Sequence, residues 1–206
     1  MIGVSTADGL TTLTLNRPDK ANSLTRVMLG ALEDAVAVAA GDGTRVLVLT
    51  GAGKVFSAGA DLDEARAGLA TDPVWERLSA AIAALPCLTI GALNGTLAGG
   101  AMGMALACDL RVAVEGAKLF YPVMRLGFLP QPSDPRRFAA LVGPARAKLI
   151  LMAGARVPVE EALTWGLVDR VVAPDALTET VAALAADALA ATPAHVAAIK
   201  RLVPGA

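Results

Sequence analysis

The chain is 206 residues long, 55% hydrophobic and only 18% charged, with a net charge of −1. So low a charge content with so much apolar sequence excludes a disordered chain, and a nucleic-acid groove would need a basic surplus that is absent. One histidine, His195, and two separated cysteines, Cys87 and Cys108, argue against a zinc set, a disulfide framework and a Ser–His–Asp triad.

The first residues, Met1–Ser5, carry no basic segment and no signal-type apolar run, so a cytoplasmic location is expected. Leu10–Leu15 reads as a strand, and Asn16-Arg17-Pro18-Asp19-Lys20 as the turn that ends it. A helix is expected from about Leu24 to Ala40, with Leu29, Leu32 and Val36 on one face and Gly41-Asp42-Gly43 stopping it. Val46–Leu49 is a continuous apolar run, the pattern of a strand covered on both faces. After Gly51-Ala52-Gly53-Lys54 comes Phe56-Ser57-Ala58-Gly59-Ala60-Asp61, and Asp61 with Glu64 has the spacing of a helix-capping box.

A helix near Val74–Leu85 ends before Pro86. No charged residue stands between Arg77 and Asp109, a stretch long enough to cross a bilayer. Pro86, Asn94, Gly95, Gly99 and Gly100 break it, so it reads as helix end, buried strand (Leu88–Leu93), loop and apolar helix (Gly99-Gly100 to about Ala107) and not as a membrane span. Leu110–Val114 is a further strand. Gln131–Arg137 is expected to be loop at least to Pro135, with helices near Pro144–Met152, Val159–Trp165, Asp175–Ala190 and Pro193–Leu202. Short apolar strands alternating with helices argue an α/β fold with a helical C-terminal part.

Familiar phosphate and nucleophile motifs fail on inspection. Gly51-Ala52-Gly53 opens like a dinucleotide fingerprint but meets Phe56 where a third glycine belongs. Val55–Gly59 lacks the first glycine and a usable histidine of a nucleophile elbow. Two loops say more together: Ser57-Ala58-Gly59-Ala60-Asp61, and Asn94-Gly95-Thr96-Leu97-Ala98-Gly99-Gly100-Ala101. Each places small residues where a backbone approaches a ligand, and Gly99 and Gly100 open a helix, whose free amides favour negative charge. Two converging amides make an oxyanion hole for a polarised carbonyl. Equally, the glycines permit a tight strand–helix crossing.

As a set, these segments resemble the enoyl-CoA hydratase/isomerase, or crotonase, superfamily. The resemblance is carried by LNRPDKANSL (Leu15–Leu24), LVLTGAGKVFSAGADL (Leu47–Leu62), ALNGTLAGGAMGMALACDLRVA (Ala92–Ala113), KLFYPVMRLGFLP (Lys118–Pro130) and VEEALTWGLVDRVV (Val159–Val172). It implies a spiral of ββα turns over about residues 1–172 and a C-terminal helical part over about 173–206, together one domain. It implies a homotrimer or hexamer and binding of an acyl-CoA, with coenzyme A as part of the substrate and no separate cofactor or metal. The thioester oxygen would lie on the amides of Ala60 and Gly100. Lys20 and Ala21 in segment 18–24, and Ala58, Asp61 and Leu62, would contact the adenine and pantetheine parts.

The departures from the family pattern bear on chemistry. The two glutamates of hydratases fall on Gly103 and Val123, neither of which can move a proton, so ordinary hydration is not expected. Asp134 lies in the segment where some members keep an active-site acid, without matching its register, and Ser-Asp before Pro is equally a turn device. Tyr121 and Val123 would border the substrate; a core tyrosine is the alternative. Arg125, Arg136 and Arg137 would bind an anion or lie in solvent, and His195 is expected on an exposed helix face. Family members continue past the position of Ala206, so a more open acyl pocket, or cover from a neighbouring subunit, is expected. Two functions stay open: an enzyme forming a thioester enolate, of isomerase or decarboxylase/lyase type, and a non-catalytic acyl-CoA binder or interaction protein.

Overall fold

The structure is a computed structural model that describes residues 1–203. In chain order its elements are β1 (Ile2–Ala7), β2 (Leu10–Leu15), α1 (Arg26–Ala39), β3 (Val46–Gly51), β4 (Val55–Ser57), α2 (Leu62–Arg66), α3 (Val74–Ala84), β5 (Leu88–Leu93), β6 (Thr96–Ala98), α4 (Ala101–Ala107), β7 (Leu110–Val114), β8 (Lys118–Phe120), α5 (Val123–Leu126), α6 (Asp134–Leu151), β9 (Val157–Pro158), α7 (Val159–Trp165), β10 (Arg170–Val172), α8 (Leu177–Ala190) and α9 (Pro193–Leu202).

The chain winds as a spiral. β3, β5 and β7 pair in parallel inside a six-stranded sheet of order β1-β2-β3-β5-β7-β10. The short strand after each of them, β4, β6 or β8, goes to a second sheet of order β4-β6-β8-β9. After β4 and β6 helices return the chain to the first sheet, giving ββα turns; after β8 the chain passes through α5 and α6 to β9 of the second sheet before α7 leads back to β10. Parallel strands need such crossovers, and strands covered on both faces carry continuous apolar runs, as Val46–Leu49 does. All seven residues of α4 are buried, between α3 and α6. That is the place for a helix made only of Ala, Met, Gly and Leu.

Polar contacts tie α9 to the core and brace β7 within it. Lys200 donates to Asp109 Oδ2 at 2.8 Å and to the carbonyl of Cys87 at 2.9 Å. The Arg111 guanidinium is buried but donates to the carbonyls of Leu167 and Cys108 at 2.9 and 2.7 Å. No single helix among the described residues is long and apolar enough to cross a membrane. Residues 204–206, counted in the expected C-terminal part, lie outside the described residues.

Several local expectations need correction. Asp134 and Pro135 do not prolong a loop; they form the first turn of α6, where proline's missing N–H is tolerated. The helix expected from Pro144 is the second half of α6, set off by a kink at Gly143 (φ 80°). The Asp61–Glu64 box is half formed. Asp61 accepts from the amides of Asp63 and Glu64, but Glu64 turns away and accepts from the Arg26 amide at 2.6 Å. The helix expected from Leu24 starts at Arg26, because Thr25 caps it by accepting from the Met28 amide.

Candidate active site

The two small-residue loops meet back to back. A Cβ on Gly59 (φ 91°) would stand 3.0 Å from the carbonyl of Ala98 and 3.2 Å from Cα of Gly99. A Cβ on Gly99 (φ 59°) would stand 3.4 Å from Cα of Gly59. The crossing therefore requires glycine on both sides, for space and for the left-handed backbone. The amides of Ala60 and Gly100 flank this contact, and the Cβ position of Gly59 is 3.4 Å from the Gly100 nitrogen.

Chain segment 21–24 fixes the first loop like an added strand. Ala58 N–H donates to Ala21 at 3.0 Å, Leu24 N–H to Gly59 at 2.8 Å, and Asp61 N–H to Leu24 at 2.9 Å. This parallel bridge leaves the Ala60 amide facing the other way, with no acceptor among the described residues. Gly100 is the N-cap of α4, and its amide likewise has no acceptor among the described residues. The ring of Trp75 lies under Gly100, where a Cβ would meet it at 3.1–3.2 Å. Trp75 is fixed by donating Nε1–H to the carbonyl of Leu69 at 2.8 Å.

Of the residues expected to hold the cofactor part of the substrate, Lys20, Ala58 and Leu62 are exposed along this loop pair, and Ala21 is half-buried at φ 49°. Asp61 is occupied within the protein. It accepts from Arg17 at 2.7 Å as well as from its two cap amides, and the Arg17 hydrogen bond, with those amides, holds its carboxyl below the usual range. Two asparagines, Asn22 and Asn94, clamp the Gly51–Val55 turn with their side chains.

The second cluster surrounds Asp134, which is fully buried at the start of α6. A Cβ on Gly103 would stand 2.9 Å from Asp134 Oδ1 and 3.3 Å from Oδ2, so the carboxylate fills the space of a side chain at position 103. Gly103 lies one turn along α4 from Gly100, about 4.5 Å of helix rise. Neither carboxylate oxygen has a hydrogen-bond partner among the described residues. Arg137 Nη1 is 4.0 Å away and is engaged instead by Ser79 Oγ at 3.0 Å. Tyr121 lies beside the carboxylate without closing a bond of full geometry. Burial pushes the Asp134 carboxyl up to about 7 against the lowering influence of Tyr121 and Arg137. Burial and the Asp134 charge raise the Tyr121 phenol above its ordinary value. Val123 is buried at the start of α5.

Other candidates fall elsewhere. Arg125 and Arg136 are exposed, and His195 is exposed on α9. A groove of about 1020 Å³ between α3, α4, α6, α8 and α9 touches Arg137 but neither Ala60 nor Gly100. No set of three metal-ligating side chains occurs among the described residues. The sequence reading missed Trp75 and Glu76. Glu76 accepts from both the amide, at 3.1 Å, and the hydroxyl of Ser133, next to Asp134.

Comparison with known proteins agrees with this architecture. The family model for enoyl-CoA hydratase/isomerase matches residues 5–204. The chain is 41% identical over 170 residues to Bacillus subtilis YngF, a protein named for enoyl-CoA hydratase/isomerase, covering 79% of this chain and 65% of that one. The chain thus spans just under two thirds of that relative's length. It is 33% identical over 187 residues to 1,2-epoxyphenylacetyl-CoA isomerase of Escherichia coli, covering 86% of this chain and 71% of that protein. A solved enoyl-CoA hydratase from Bacillus anthracis superposes with a TM-score of 0.90 at 33% identity, over 97% of this chain and 81% of that one. The spiral of ββα turns, the matched motifs and these relatives agree, and the chain belongs to the enoyl-CoA hydratase/isomerase family.

Proposed function

We propose that the chain binds an acyl-CoA, holds the thioester oxygen between the amides of Ala60 and Gly100, and moves a proton with Asp134. The single observation that carries this is the unpartnered Asp134 carboxylate filling the space beside Gly103, one turn of α4 from Gly100. An enolate is too unstable to form freely in water, and two fixed donors stabilise its charge with no reorganisation. A carboxyl near neutral pKa suits both halves of a proton transfer. Asp134 would take a proton from the carbon next to the thioester, the electron pair moving to the carbonyl oxygen, and return it two carbons along a β,γ-enoyl chain. The product is the α,β-enoyl isomer, with no net proton gained or lost. A hydratase needs acids that position and split water, and Gly103 and Val123 supply none. Loss of CO₂ from an acyl-CoA carrying a carboxylate on its α-carbon would form the enolate on the same oxyanion amides without a base, a proton then adding at the α-carbon.

Coenzyme A enters as part of the substrate, along the exposed edge formed by Lys20, Ala58 and Leu62, and no further cofactor is needed. A homotrimer or hexamer would cover the exposed apolar side chains Met124, Leu126, Phe128 and Leu129. Light scattering tests this, and a 20.8 kDa monomer would refute it.

A second function, acyl-CoA binding without chemistry, is favoured by the complete burial of Asp134. Substrate binding must open that carboxyl for the first to hold. Deuterium exchange at the α-carbon of an acyl-CoA, followed by NMR, separates the two. The enzyme should exchange it and Asp134→Asn should not, while both bind the ligand in calorimetry. Binding without exchange would favour the second function.

A further inference from the structure

We propose that Glu76 is a positioning residue for Asp134: from α3 it grips the backbone and side chain of Ser133, and so fixes where the next residue's carboxyl stands and sets a negative charge near it. The inference rests on the proton-transfer role proposed above for Asp134.

The geometry is a two-point clamp between α3 and the first turn of α6. Glu76 accepts from the Ser133 amide at 3.1 Å with one carboxylate oxygen and from the Ser133 hydroxyl with the other. Ser133 is the N-cap of α6, yet its hydroxyl caps nothing in its own helix. The cap is supplied instead by a carboxylate from another helix, which also complements the positive end of the α6 dipole. One turn on, Arg137 Nη1 donates to Ser79 Oγ at 3.0 Å. Residues 133 and 137 flank Asp134, and both are tied to α3. The residue before Glu76 is Trp75, whose ring packs on Gly100. One end of α3 thus sets both the oxyanion amide and the acid, which fixes their separation.

A charge at Glu76 has a further effect that a neutral clamp would lack. The groups facing Asp134 are Tyr121 from the strand–loop side, Arg137 on its own helix and Glu76 on α3, while α4 presents only Gly103. Arg137 favours the charged carboxylate and Glu76 the protonated acid. Removing the Glu76 charge should therefore make Asp134 a stronger acid.

The test is a pH titration of the Asp134 carboxyl by carbon NMR in the full chain with labelled aspartate, the resonance assigned by its loss in Asp134→Asn. Wild type should titrate near neutral pH. Glu76→Gln keeps one acceptor for the Ser133 amide and can donate its NH2 to the Ser133 hydroxyl, but it lacks the charge, and the Asp134 midpoint should fall by about 0.5 pH or more. A purely structural clamp would leave that midpoint in place. Ser133→Ala removes one strand of the clamp and keeps the charge. It should hold the midpoint and lower α-carbon exchange several-fold, and it serves if Glu76→Gln fails to fold. An unmoved midpoint in Glu76→Gln, a wild-type midpoint in the ordinary carboxylate range, or undiminished exchange in Ser133→Ala overturns the inference. If instead Asp134→Asn exchanges at the wild-type rate, the proton-transfer role itself falls, whatever the Glu76 midpoint does.

Discussion

The carboxylate of Asp134 stands where a side chain on Gly103 would begin, with Oδ1 2.9 Å from the Cβ position. One residue from α6 and the absence of another on α4 thus form a single feature. The glycine is not a spare helix position: it makes room for the acid.

Gly103→Ala should therefore destabilise the protein although alanine is the better helix former. The helix gain is about 1 kcal/mol, whereas forcing a methyl into a packed site costs about 1–3 kcal/mol. Urea denaturation checks this. In a double-mutant cycle with Asp134→Ala the cost should largely vanish, because the second change removes the atom in the way.

Asp134 also makes stability depend on pH. Its carboxyl is raised from the usual 3.8 to about 7 in the folded chain, so the folded state binds more protons than the unfolded one between these values. Stability from this group is then greatest at low pH and is lost as pH rises through that window. At pH 8 the cost is on the order of 4 kcal/mol, because each tenfold weakening of the acid on folding is worth about 1.4 kcal/mol. Asp134→Asn should flatten the fall. Denaturation midpoints across pH 4 to 8 that decline equally in both proteins would contradict this.

Gly59→Ala should separate the two loops. The backbone there is left-handed at φ 91°, and the new methyl would press on the Ala98 carbonyl at 3.0 Å. A loss of about 1–3 kcal/mol is expected from strain alone. Calorimetry should find a larger drop in acyl-CoA affinity than in Ala31→Ser, an exposed position of α1 outside the proposed site, since Gly59 sets the spacing of the Ala60 and Gly100 amides.

The two cysteines should be inert in the folded protein. Burial pushes the Cys87 thiol up to about 11 and the Cys108 thiol up to about 12. A thiol reagent at pH 8 should modify neither until denaturant is added, because the thiolate is the reactive form. Rapid labelling of the native chain would contradict their burial.

Much of the fold was legible where pattern and burial coincide. Strands β2, β5 and β7 lie where their apolar runs put them, because each is buried in the larger sheet. β4 and β8 are three residues each, too short for a period, and β1 is mostly exposed, so it has no apolar face to read. The start of α6 reads as loop in the sequence because proline breaks a helix interior, whereas Pro135 sits in the first turn, where it is tolerated. The glycine loops were visible as motifs. Their reciprocal contact between Gly59 and Gly99 was not, since it joins residues far apart in the chain. The same holds for Glu76 and Ser133: neither has a local signature, and only the packing of α3 on α6 brings them together.

The most direct measurement is the structure of the chain with an acyl-CoA bound. The thioester oxygen should lie about 2.7–3.1 Å from the amide nitrogens of both Ala60 and Gly100, with the Asp134 carboxyl in reach of the α-carbon. A thioester oxygen beyond hydrogen-bonding distance of both amides, or an Asp134 still sealed from the ligand, would contradict the account.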